Sequence, residues 1–196
     1  VDNLDSFTHN IAHAIMQLGH DVHVLQGRGL NGPHDVEESV KALLDASPSH
    51  LMLGPGPGRP EEARLSMRLA ELAVNGETPP LLGICLGHQA LGLAAGGRVM
   101  HDPHGPVHGR PVQVVHDGSG LFAHVSGRAM RMVRYNSLVV QGVDPHLLRV
   151  NARSGHVTMG LRSPRFHVHG VQGHPESIGS EEGHRLLRTF LDAAHG

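Results

Sequence analysis

The chain has one cysteine, and it stands in Gly83-Ile84-Cys85-Leu86-Gly87 directly after the apolar run Leu81–Ile84. A structural cysteine has no use for a glycine two residues away on each side. A nucleophile at a sharp strand-to-helix turn does, because the glycines relieve contact between strand and helix while the side chain is thrust above the sheet. A helix beginning just after Cys85 would aim free N–H groups and a positive dipole end at the sulfur, favouring the thiolate. The Leu86 N–H would then be placed to bind an oxyanion. The competing reading is a core cysteine in a glycine-rich turn. Such a nucleophile needs a base, and the base a carboxylate to orient it. The stretch VQGHPES supplies His174 and Glu176 two residues apart, after a strand-like run, with Pro175 to end the ladder. Among 19 histidines, it is this glutamate and this strand end that single out His174.

The elements that would position these groups alternate between apolar strands and helix-like segments, which predicts an α/β fold: a mostly parallel central sheet flanked by helices. The segment DSFTHNIAHAIMQLG reads as a helix capped by Asp5 or Ser6, with Ile11, Ile15 and Leu18 on one face and Gly19 as its stop. Residues 21–25 read as a short strand, 36–44 as a helix ending before Ser47-Pro48, and 50–53 as a strand running into GPGPGRP. That last stretch is a backbone turn that neither helix nor sheet accommodates. Residues 61–74 read as a helix and 81–84 as the strand before the cysteine. The middle of the chain carries short β-like runs (112–115, 130–133 and 138–140), a small extra β region. Residues 166–172 read as a strand, with His167 and His169 on one face. Residues 180–194 form a closing helix with Glu181 and Glu182 at its positive end. Val1-Asp2-Asn3 reads as the end of a strand, so the expectation is a single domain over residues 1–196, part of a longer chain or lacking its first strand.

At 196 residues, 39% apolar and 17% charged, the chain fits one α/β domain with a full core. A formal charge of −2 gives no electrostatic reason to expect nucleic acid or a membrane surface as partner. No apolar run approaches the length of a membrane span. One cysteine excludes an internal disulfide and points to a reducing cytoplasm. The cluster HDPHGPVH, with His101, His104 and His108, matches no ligand pattern, because Pro103, Gly105 and Pro106 break its spacing; it reads as a solvated loop, and no metal site is expected.

The segments GPGRP, GICLGHQALG, RYNSL and VQGHPES, in this order and at these separations, resemble class I (triad-type) glutamine amidotransferases, which have a flavodoxin-like architecture. The opening DNLDSFTHN resembles the signature of the branch serving chorismate-using enzymes, the glutaminase components of anthranilate synthase and aminodeoxychorismate synthase. The resemblance implies that Cys85 attacks the side-chain amide of L-glutamine, with His174, oriented by Glu176, as acid and base. It implies an oxyanion hole from the backbone N–H groups of Gly56 and Leu86, with Gly58 shaping the same turn. Gln89, Ser137 and Leu138 would hold the amino-acid end of glutamine. Ammonia would pass to a chorismate-aminating synthase, subunit or fused domain, facing Arg59-Pro60, residues 2–7 and residues 108–111. No cofactor is implied in this domain, and Mg2+ is implied for the synthase. A rival is a catalytically weak or inactive module of the same fold that binds and regulates the synthase. Two positions depart from the family pattern: Gly173 stands where an aromatic residue is usual, and Asn136 where histidine is usual. The missing ring predicts a loosely held His174, and hence that Gly173→Phe preserves or raises activity.

Overall fold

Three short apolar strands form the parallel part of the sheet in the computed structural model, which describes residues 1–28 and 32–192. In chain order the strands are β1 (Leu51–Leu53), β2 (Leu81–Ile84), β3 (Arg98–His101), β4 (Arg110–His116), β5 (Ala129–Arg134), β6 (Leu138–Gln141), β7 (Arg149–Ser154), β8 (Val157–Arg162) and β9 (Val168–Val171). The helices are α1 (Thr8–Gln17), α2 (Pro33–Asp45), α3 (Arg64–Asn75), α4 (Leu86–Ala94) and α5 (Gly183–Leu191). Seven strands make one sheet in the order β1-β2-β9-β8-β7-β4-β5, and β3 pairs with β6 in a separate ribbon.

The expectation of a mostly parallel sheet is corrected. Among the described strands only β1, β2 and β9 run parallel, and every pairing from β9 outward through β8, β7, β4 and β5 is antiparallel. The reason lies in the connections. β7 and β8 are joined by a turn at Gly155 with no helix between them, and strands linked so briefly can pair only in opposite directions. Residues 21–25 are not a strand: a single parallel bridge joins Asp2 to Gln26, and Val24 and Leu25 stay exposed. The start of α1 also differs. Its N-terminal flanking residue is Phe7, with no side-chain cap. Asp5 accepts from the Phe7 N–H, while Asp2 accepts from the Leu4 and Asp5 N–H groups and the Thr8 hydroxyl.

Both faces of the parallel strands are covered, because alternate side chains point to opposite sides. Leu82 and Ile84 join a core with Ile11 and Ile15 of α1 and Leu186, Leu187 and Phe190 of α5. Leu53 and Leu81 join the other core, with Val36, Val40, Leu65, Leu69 and Leu91 from α2, α3 and α4. Phe190 is fully buried, a burial worth about 1.5–3 kcal/mol. His167 and His169 lie on one face, their rings 4.9 Å apart, and pack against Phe190. Among the described residues, no helix is long and apolar enough to cross a membrane.

Candidate active site

Strand register brings the catalytic candidates to one edge. In the parallel pairs, Leu53 lies opposite Gly83 and Ile84 opposite Val171. The chain therefore leaves β1, β2 and β9 at the same carboxyl end, where ligands bind in open α/β sheets. The GPGPG turn follows β1, Cys85 follows β2 by one residue, and His174 follows β9 by three. The Cys85 N–H extends the ladder by donating to the Val171 carbonyl at 2.9 Å.

Cys85 has φ 53° and ψ −99°, a left-handed backbone conformation that costs a non-glycine residue about 1–3 kcal/mol. The flanking glycines make the turn sterically possible. A Cβ on Gly83 would lie 2.5 Å from backbone atoms of Gly87, and one on Gly87 would lie 2.2 Å from the Leu53 carbonyl oxygen. α4 then begins at Leu86, so the expected strand, elbow and helix are all present.

Glu176 Oε1 lies 2.7 Å from His174 Nδ1, and both side chains are buried. That contact orients the ring and leaves Nε2 for the thiol. Cys85 favours the charged form of His174. Nε2 makes no hydrogen bond of full geometry, and such catalytic contacts often tighten only when substrate binds. Burial alone would lower the His174 pKa, but the hydrogen bonds and charges of Cys85 and Glu176 outweigh it and raise the value to about 10. Other buried histidines move the opposite way: burial pushes His88 down to about 4 and His169 to about 3, and lowers His116. A stabilised imidazolium beside a thiol is what a thiolate nucleophile needs.

The GPGPG turn is held from the chain's first residues. The Asn3 side chain, fully buried, donates to the Gly54 carbonyl at 2.9 Å and accepts from the Ser66 hydroxyl at 2.9 Å. Gly56 packs so closely that a Cβ there would lie 2.6 Å from Asn3 Cβ and 3.2 Å from Leu86 Cδ1. Gly56 and Leu86 are thus neighbours, as an oxyanion hole built from both requires. Gly58 adopts φ 71°, the turn-forming conformation glycine favours. Gln89 lies buried in the first turn of α4, 3.4 Å from Gln172 Oε1.

Ser137 and Leu138 sit where β6 begins, and their main chain is fixed from outside. Ser137 O accepts from the Asp102 N–H at 2.8 Å, and Asn136 O from the Val107 N–H at 3.2 Å. Asn136 Nδ2 donates to the Leu138 carbonyl at 2.9 Å, while its Oδ1 accepts from Arg134 Nε at 2.5 Å. Arg134 Nη2 in turn donates to Asp102 Oδ2 at 2.8 Å in a buried ion pair. Asn136 therefore links a buried cation to the loop main chain, using an acceptor and a donor on one short side chain.

Gly173 requires a correction. The space beside it is already filled: a Cβ there would lie 2.4 Å from Met132 Sδ, 2.6 Å from Met132 Cγ and 2.9 Å from the Val133 carbonyl oxygen. Met132, fully buried on β5, occupies the volume an aromatic ring would take. Glycine is an accommodation to it, and the expectation that Gly173→Phe preserves activity is withdrawn. Phe7 and Tyr135 flank the His174 ring, with centroids 5.3 and 5.1 Å away.

Sequence reasoning missed Asn3, Asp102, Met132, Arg134, Tyr135 and Ser180. Arg134 and Tyr135 lie in RYNSL and so had a local signal. Asp102 lay hidden in a segment read as a solvated loop, where His104 packs on His156 with ring centroids 4.5 Å apart. Among the described residues, the group with ligand atoms close enough for a metal is His34, Asp35 and Glu38 at the surface of α2, not the HDPHGPVH histidines.

The family model for glutamine amidotransferase class-I matches residues 1–194. The chain is 37% identical over 195 residues to the "Bifunctional protein TrpGD" of Thermotoga maritima, covering 98% of this chain and 31% of that protein. It is 40% identical over 193 residues to an aminodeoxychorismate synthase of Streptomyces griseus, covering 98% and 25%. It is 37% identical over 194 residues to anthranilate synthase component 2 of Azospirillum brasilense, covering 98% and 93%. The chain thus spans about a third or less of the first two relatives and nearly all of the third. The solved structure of a glutamine amidotransferase from Thermotoga maritima has the same fold, with TM-score 0.63 and 19% identity over 95% of this chain and 75% of that one. With a family match over nearly its whole length, the chain belongs to the class-I glutamine amidotransferases.

Proposed function

We propose that this chain hydrolyses L-glutamine and delivers the ammonia to a chorismate-aminating synthase, as a separate subunit or a fused domain. The observation that carries the chemistry is the shared strand end, where Cys85 follows Ile84 and the His174–Glu176 pair, 2.7 Å apart, follows Val171. The Cys85 thiolate adds to the side-chain amide carbon of glutamine. The N–H groups of Gly56 and Leu86 stabilise the resulting oxyanion. His174 then gives its proton to the departing nitrogen, the C–N bond breaks, and ammonia leaves a γ-glutamyl thioester on Cys85. Water, deprotonated by His174, attacks that thioester and releases glutamate with the thiol restored. Gln89, Ser137 and Leu138 hold the amino-acid end of the substrate.

The choice of acceptor rests on the relatives, which are named aminodeoxychorismate synthase and anthranilate synthase component 2. Synthase residues decide which carbon of chorismate is aminated, so both routes fit this chain. Ammonia must arrive unprotonated and undiluted, which requires docking; the loop carrying Phe7, beside His174, is the proposed contact. This half-reaction uses only side chains and main-chain groups of the chain, any Mg2+ belongs with the synthase, and the proposed setting is the cytoplasm. The test is Cys85→Ala in the complete complex. Glutamine-dependent product formation is expected to vanish while ammonia-dependent synthesis continues. Unchanged glutamine turnover in the variant refutes the assignment, and loss of both activities refutes the division of labour.

A further inference from the structure

The free edge of β5 is not left to solvent. Residues 174–181, which leave the end of β9 and lead into α5, are bonded along it. His174 N–H donates to the Val133 carbonyl at 3.0 Å. In a regular antiparallel pair the reciprocal bond would run from the Val133 N–H to the His174 carbonyl. Here a hydroxyl is inserted into it: Val133 N–H donates to Ser180 Oγ at 3.0 Å, and Ser180 Oγ donates to the His174 carbonyl at 2.5 Å. One residue further along, Glu181 N–H donates to the Arg131 carbonyl at 2.9 Å, and Arg131 N–H to Glu181 Oε2 at 3.2 Å.

We propose that Ser180 is a positioning residue for the base, its hydroxyl locking the main chain of His174 to Val133 and so aiming the imidazole at Cys85. A serine hydroxyl can accept one hydrogen bond while donating another, and this geometry uses both. The need for such a lock comes from the residue before the base. Glycine at 173 leaves the backbone free, so the direction of His174 has to be set from elsewhere, and β5 sets it through both main-chain polar groups of Val133. The packing agrees: a Cβ on Gly179 would lie 2.8 Å from Val133 Cγ2, and one on Gly183 would lie 2.0 Å from the Pro175 carbonyl oxygen. The loop therefore seats tightly on β5 and on its own far end. This inference rests on the glutaminase reading for its catalytic consequence, but not for its geometry.

The test compares Ser180→Ala and Ser180→Thr in the chain bound to its synthase. Misplacement of a catalytic group by about 1 Å can cost on the order of 100-fold in rate. Ser180→Ala is therefore expected to lower kcat for glutamine hydrolysis about 10- to 100-fold with KM within about twofold, and Ser180→Thr, which keeps the hydroxyl, to restore it. The same Ala variant should slow alkylation of Cys85 by a glutamine-like chloroketone and shift the His174 imidazole resonances. If Ser180→Ala fails to fold, Ser180→Val, which also lacks the hydroxyl and leaves Cys85 the one thiol, replaces it under the same criteria. A kcat within twofold of wild type, or a loss that threonine does not restore, overturns the proposal. A wild-type complex that does not hydrolyse glutamine defeats the functional reading instead, and the His174 resonances still decide whether Ser180 positions the ring.

Discussion

At Gly173 the steric conflict has two parts, and they predict different outcomes. Any side chain there meets Met132 Sδ at 2.4 Å, a flexible neighbour, and the Val133 carbonyl oxygen at 2.9 Å, a fixed one. Overpacking of this kind costs about 1–3 kcal/mol. Gly173→Phe is expected to lose that much stability and most glutaminase activity, by chemical denaturation and by glutamate release. Adding Met132→Ala should recover part of the stability, since it removes the flexible neighbour. It should not recover all, because the Val133 carbonyl also accepts the His174 N–H and any retreat from a new Cβ pulls that bond. Sequence spacing could single out Cys85, His174 and Glu176 because elbow glycines and a strand-ending proline are local signals. Met132 carried no such signal, since its contact with Gly173 joins β5 to the loop after β9, 41 positions along the chain.

The segment that enters the 137–138 loop owes its shape to a buried charge pair. Asp102 and Arg134 have side chains only 2% and 4% exposed, and His156 Nε2 lies 2.8 Å from Asp102 Oδ1. Removing one partner of such a pair typically costs about 3–5 kcal/mol, because the other charge stays buried and unpaired. Asp102→Asn is expected to destabilise the protein by that order and to raise the glutamine KM, through the Arg134–Asn136–Leu138 chain of contacts. Burial opposes the Asp102 charge, but hydrogen bonds from the His104 N–H, Arg134 and His156 prevail and lower its pKa from 3.8 to about 2. The stability it contributes is therefore complete above about pH 4 and lost as pH falls through about 2. The gap between wild type and Asp102→Asn, measured by urea denaturation, should close over that interval.

Across the whole molecule, the sheet curls until its last strand, β5, receives the loop that leaves β9. Four main-chain N–H groups tie this closure, those of Arg131, Val133, His174 and Glu181. They are expected to exchange with deuterium as one group, since freeing any of them lifts the loop from the edge. Their opening should cost less than that of the Leu82 and Val171 amides in the doubly covered strands β2 and β9. Residue-resolved exchange by NMR measures both sets. The same closure explains where α5 begins: Ser180 and Glu181 are spent on β5, so the helix starts at Gly183 rather than at residue 180.

The sequence by itself determined that the helices form, though not where α1 and α5 begin, and it determined the strands β1, β2 and β9, the elbow at Cys85 and the pairing of His174 with Glu176. Each is a short-range matter of periodicity, glycine and proline placement, or a two-residue separation. Only the tertiary structure decided that β4, β5, β7 and β8 run antiparallel, that Met132 fills the space beside Gly173, and that Asp102 reaches Arg134. It also decided that a serine six residues after the base returns to lock it. Those outcomes depend on which strands become neighbours when the sheet curls, and contacts across dozens of residues leave no periodic trace in the chain that makes them.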